Sequence, residues 1–156
     1  MEANRTTPAS RIAAAVIVLA SWAGPVTAGL FSSTGPVIAM LGDELFVGEA
    51  EGHLNGSGTL VIQSQKNADV SCSGQFTSSA ASGGAGHLQC SDGVTASFTF
   101  QRLSLRSGHG TAGFARGSMS FTYGLTAEES RPYLVMPTGL KLEQSGNHLQ
   151  LTGEPS

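Results

Sequence analysis

The sequence predicts an all-β domain: an antiparallel meander of glycine-punctuated hairpins, forming an open barrel or twisted sheet, with one short helix near 126–131. Apolar residues recur at every second position over short segments, and clusters of Gly, Ser, Asn and Asp separate those segments. No long stretch shows the spacing of an amphipathic helix. The 156 residues include 21 Gly, 40% hydrophobic residues and 12% charged ones, too apolar and too weakly charged for a disordered chain. A net charge of −3 supplies no basic field, so no nucleic-acid partner is expected.

Taken in order, residues 1–11 carry Arg5 and Arg11 against Glu2 and precede the apolar run 12–20. Pro25 then breaks the chain just before Val26-Thr27-Ala28, which puts small residues where a signal peptidase reads, so residues 1–28 are expected to be a signal peptide cut after Ala28. The apolar run is much shorter than the roughly 20 residues of a membrane-spanning helix. The expected product is therefore periplasmic or secreted, with no stable membrane span after cleavage. Residues 29–36 are expected to be a flexible lead, 37–152 a single β domain, and 153–156 a flexible tail.

The two cysteines, Cys72 and Cys90, both fall in the exported part, where a disulfide is expected. Neither Ser71-Cys72-Ser73 nor Gln89-Cys90-Ser91 offers a cation to hold a reactive thiolate. Strands are expected over 37–41, 44–51, 59–64, 68–77, 86–90, 94–105, 113–123, 140–144 and 148–152. Ser91-Asp92-Gly93 is a three-residue hairpin loop with Gly93 at the left-handed position and Asp92 as its turn residue. It pairs Cys90 with Val94, Leu88 with Ala96 and Gly86 with Phe98, gathering Leu88, Cys90, Val94, Ala96, Phe98 and Phe100 on one face. Setting Cys72 opposite Cys90 adds Val70, Cys72 and Phe76 to that face and puts Gln75 beside His87. Past Phe100 the apolar residues switch to odd positions at Leu103 and Leu105, which predicts a bulge near Gln101-Arg102. In the following strand Met119, Phe121 and Tyr123 alternate with Ser118, Ser120 and Thr122, predicting a one-sided sheet. Thr126 and Glu129 can form a capping box over a helix that Pro132 soon ends. Ser145-Gly146-Asn147 turns a closing hairpin.

Gly-x-Gly-x-(Leu/Ala) recurs at Gly56-Ser-Gly58-Thr-Leu60, Gly84-Ala-Gly86-His-Leu88 and Gly108-His-Gly110-Thr-Ala112, each expected to be a turn leading into a strand. These elements loosely resemble MORN-type hairpin repeats. A closer similarity, over roughly 44–124, is to small exported proteobacterial β-rich proteins. It rests on Cys72-Ser73-Gly74, Cys90-Ser91-Asp92-Gly93 and Phe121-Thr122-Tyr123-Gly124. That resemblance implies a β-rich envelope domain and brings no catalytic residues with it.

Local signatures of enzymes are absent: no Gly-x-Ser-x-Gly elbow, zinc-protease helix, phosphate loop or dinucleotide fingerprint occurs. A hydrolase with an acid or His site assembled from distant residues is the alternative. Glu44, Glu49 and Glu51 read as a solvated strand edge. His53, His87 and His109 each lie in or near a glycine element, so stacked hairpins would align them as ligands for Zn²⁺ or Cu²⁺; the commoner outcome is three solvated imidazoles, and no metal or cofactor is expected. Asn55-Gly56-Ser57 fits a tight turn. A small periplasmic inhibitor is a further alternative, its Ser-Gly-x-x-Tyr loop falling on Ser82-Gly83-Gly84-Ala85-Gly86, where the Tyr is missing. Aromatics are only 6% of the chain, which disfavours sugar platforms. The expectation is an exported, non-enzymatic β domain acting in the cell envelope as a binding or structural module toward an envelope protein or surface ligand.

Overall fold

The computed structural model describes residues 32–79, 82–115 and 117–155; the expected signal peptide 1–28 and its cut at Ala28 lie outside them. Eight strands run β1 Ser32–Leu41, β2 Glu44–His53, β3 Ser57–Ser64, β4 Ser71–Ser79, β5 Gly83–Cys90, β6 Thr95–Arg102, β7 Gly108–Phe114 and β8 Gly117–Tyr123. Each pairs antiparallel with the next, and β8 pairs with β1 from Val37↔Tyr123 to Leu41↔Met119, so the meander closes into a barrel. Helix α1 Ala127–Ser130, a 3₁₀ turn Arg131–Tyr133 and the hairpin β9 Leu140–Ser145 and β10 His148–Gly153 follow.

The register around the cysteines agrees with the expectation: Cys72↔Cys90, Gln75↔His87, Phe76↔Gly86, Leu88↔Ala96 and Gly86↔Phe98. Cys72 and Cys90 form a disulfide. Gly93 has φ 88°, and Asp92 Oδ1 accepts from Val94 N at 3.1 Å, as the loop requires.

Inside the barrel, glycine and aromatic residues alternate from strand to strand. Gly58 faces Phe76, Gly84 faces Phe100, Gly86 faces Phe98, Gly108 faces Tyr123 and Gly110 faces Phe121. A Cβ on Gly110 would come within 2.5 Å of Phe121 Cζ, and one on Gly58 within 2.1 Å of Phe76 Cζ. The rings fill the places of the missing side chains, which is how a narrow barrel holds large residues at native density. Phe76–Phe100, Phe98–Phe121 and Phe100–Tyr123 meet edge to face at 5.6, 5.4 and 5.6 Å between centroids.

Several expectations are corrected. Residues 32–36 extend β1 rather than forming a flexible lead, because they pair with the far end of β2. Gly153 belongs to β10, and Glu154 N donates to Gly139 O at 2.9 Å, so the tail 153–156 is tied in this far. No bulge lies at Gln101-Arg102: β6 stops at Arg102, and residues 103–107 turn, with Leu103 N donating to Ser107 O at 2.9 Å. The expected strand 113–123 is not continuous: Gly113 and Phe114 end β7, and 117–123 form β8, which pairs back on it as a hairpin. The repeated glycines other than Gly56 lie within strands, not turns.

The sheet is also not one-sided throughout. On the outer wall, Ile38 and Met40 of β1 and Leu45 of β2 pack against Ala127, Leu134 and Leu142 of the C-terminal segment. Ser120 and Thr122 are buried beneath it, Thr122 Oγ1 meeting Ser130 Oγ at 2.7 Å and Ser120 Oγ accepting from Val135 N at 2.8 Å. The Thr126–Glu129 capping box forms as expected, and Pro132 lies inside the 3₁₀ turn rather than ending the helix.

Candidate functional site

The two ends of the barrel differ. The end that carries the disulfide is filled by Phe46, Ile62, Cys72, Cys90 and Ala96. The other end opens into a partly enclosed cavity of about 610 Å³, floored by Leu60, Phe98 and Phe121 and walled by Phe76, Phe100 and Tyr123. This volume lies within the range of small-molecule sites. Small residues on β1 and β2 make the room: Gly35, Ala50 and Gly52 line the side facing the rings.

Arg102 reaches this cavity for a reason legible in the alternation of β6. It follows Phe98 and Phe100 on the inward parity, the last inward position before the turn. Gly108 is the cross-strand partner of both Arg102 and Tyr123. A Cβ on Gly108 would stand 2.4 Å from Tyr123 Oη, so glycine leaves the room that the Tyr123 phenol occupies, and the Arg102 charge is near enough to act on that phenol. Arg102 Nη2 donates to Ser78 Oγ at 2.8 Å and Nη1 to Leu105 O at 3.2 Å. Arg102 Nε and Tyr123 Oη are buried and find no hydrogen-bond partner among the described residues. Burial pushes the Tyr123 phenol above its ordinary range, and the Arg102 cation only partly offsets this. The phenol is therefore a neutral O–H donor beside a guanidinium. No Asp or Glu is among the described residues that line the cavity.

Leu54 and Leu105, 81% and 83% exposed, form an apolar lip, with His53, Asn55 and Arg106 around it. The 103–107 turn is braced internally, Ser104 Oγ lying 2.7 Å from Ser107 Oγ. Gly56, at φ 86°, donates to His53 O at 3.0 Å and forms the tight turn expected at Asn55-Gly56-Ser57.

The other sequence candidates are dispersed. His87 lies on the outer wall with Nδ1 3.0 Å from Ser97 Oγ, His109 stacks on Tyr133 at 4.3 Å, and His53 sits at the lip. Among the described residues no three His, Cys, Asp or Glu side chains are placed to hold a metal. Glu44 accepts from Ser64 Oγ, whereas Glu49 and Glu51 lie farther along β2, opposite Val61 and Thr59 of β3. Gly83 to Gly86 lie in β5 and offer no inhibitor loop. Sequence reasoning missed Arg102 and Tyr123 as a pair. The signal was an arginine on the inward parity, which the supposed bulge turned away.

Fold and site together define a class: a closed, eight-stranded antiparallel barrel with an aromatic-lined cavity at one end and a cation at its mouth. Compared with known families, curated proteins and solved structures, the chain matches none. No helix among the described residues is long and apolar enough to cross a membrane.

Proposed function

We propose that the protein is an exported, non-enzymatic binding module of the cell envelope, and that its ligand is a small apolar molecule held in the open end of the barrel. The single observation that carries this reading is the cavity itself, a chamber whose rings form the apolar interior and whose polar and charged side chains include Arg102, Arg106, His53 and Asn55. Its lining favours binding over turnover, because among the described residues it contains no carboxylate and a single imidazole, His53, at the rim. The disulfide accords with an oxidising compartment. The leader read in the sequence and the likeness to small exported proteobacterial proteins point the same way.

The test uses the neutral fluorophore N-phenylnaphthylamine with the mature protein. Saturable emission enhancement at one site per chain is expected, and its loss in Ala50→Phe, which fills the cavity from β2. Absence of enhancement, or equal enhancement in the filled variant, overturns the assignment. Intact mass of protein recovered from the envelope should correspond to a chain beginning at Gly29 with both thiols oxidised.

A further inference from the structure

We propose that the cavity selects amphiphiles bearing one carboxylate, with the head between Arg102 and Tyr123 and the apolar body against the rings below. This rests on the cavity reading above and adds to it the chemistry of the head group.

Arg102 Nε–H and Tyr123 O–H are buried at the same end of the barrel, and neither is hydrogen-bonded among the described residues. A buried donor without a partner is costly, more so when its group is charged. A fold that retains two of them on strands that flank the same glycine, Gly108, has a place for an acceptor. The acceptor must be anionic, because the guanidinium carries a full charge and no Asp or Glu among the described residues lines the chamber to balance it. Each oxygen of a carboxylate can take one of the two donors, forming charge-assisted bonds that are the stronger kind.

The guanidinium is also held in place. Ser78 Oγ and Leu105 O take one hydrogen each from its terminal nitrogens, fixing the plane so that little side-chain entropy remains to be lost on binding. Ser78 is in turn tied to the Gly56 turn, its N donating to Gly56 O. Below the head, Phe100 and Tyr123 meet edge to face, and Phe98 and Phe121 continue the apolar wall downward. A tail pointing into the barrel meets rings, and a head at the mouth meets donors. The reverse orientation would leave the charge unpaired among phenyl groups.

The experiment is displacement of N-phenylnaphthylamine by decanoate and by decanol, which share a chain and differ in the head. Decanoate is expected to displace the probe at least about tenfold more effectively. Arg102→Gln should bring decanoate to the level of decanol. Tyr123→Phe, which keeps the ring and its packing, should narrow the gap by removing one donor. Equal displacement by the two compounds in the wild type overturns the carboxylate assignment and leaves the apolar site standing. Probe binding that neither compound displaces overturns the assignment too, and failure of the probe to bind at all removes the cavity reading and this one with it. A preference for decanoate that survives unchanged in both variants places the anion elsewhere and overturns the proposal.

Discussion

Gly110 sits where a side chain would collide with two neighbours: a Cβ would lie 2.2 Å from Thr99 O and 2.5 Å from Phe121 Cζ. The carbonyl belongs to a paired strand and the ring to the core, so neither can yield cheaply. Gly110→Ala is expected to lower stability by about 1–3 kcal/mol or more. Gly113 is the control on the same strand, since a Cβ there meets nothing within 4 Å and its φ is ordinary. Gly113→Ala is expected to stay within about 0.5 kcal/mol of the parent. Urea denaturation of the two variants is the measurement, and equal midpoints would refute the ring-over-glycine packing. The same contacts explain a misreading. In an isolated sequence, Gly108 and Gly110 signal a turn, because strands disfavour glycine. In this barrel a ring from the next strand occupies the place beside each of them, so the reason for the glycine lies on another segment. Nothing within 108–112 reveals it.

Hairpins were legible where two local constraints met. The Ser91-Asp92-Gly93 turn fixes one register and the Cys72–Cys90 pair fixes the neighbouring one, and both hold residue by residue from Phe76 to Phe98. The Thr126 capping box was legible for the same reason, being contained within four residues. Elements failed where the deciding contact was remote. Leu103 and Leu105 look like a continuing strand, yet the chain turns there to bring β7 alongside β6. The position of the disulfide gives an element-level prediction. It joins β4 and β5 at the filled end of the barrel, away from Arg102 and Tyr123. Cys72→Ser should therefore release one free thiol at Cys90 and cost about 3 kcal/mol on the loop-entropy argument, while probe binding at the mouth persists below the lowered melting temperature. A thermal melt and a thiol assay check the first part, and fluorescence checks the second. An unchanged melting curve would show that the strand pairing alone holds this end.

Closure of the whole barrel depends on a short seam. β1 pairs with β2 from Ser32↔His53 to Leu41↔Glu44, but with β8 only from Val37↔Tyr123 to Leu41↔Met119. The seam also joins the strands most distant in sequence, a pairing with high chain-entropy cost. The C-terminal segment covers that weak place from outside. Leu134 and Leu142 cover Ile38, Met40 and Leu45, while Ser130 and Val135 bond to Thr122 and Ser120 of β8. Segment 127–153 therefore acts as a strap across β8, β1 and β2, which accounts for the polar residues Ser120 and Thr122 being buried on a face that the alternation assigns to solvent. Leu142 is the fully buried side chain at its centre, and Leu142→Ala is expected to cost about 2–5 kcal/mol. The location of the damage is the sharper expectation. Native-state hydrogen exchange should accelerate at the β1–β8 amides, Val37 to Leu41 and Met119 to Tyr123, well before it does in β4 and β5, because local opening requires only the seam to part. Uniform acceleration across all strands would mean that the barrel opens as one unit and that the strap stabilises it without guarding the seam.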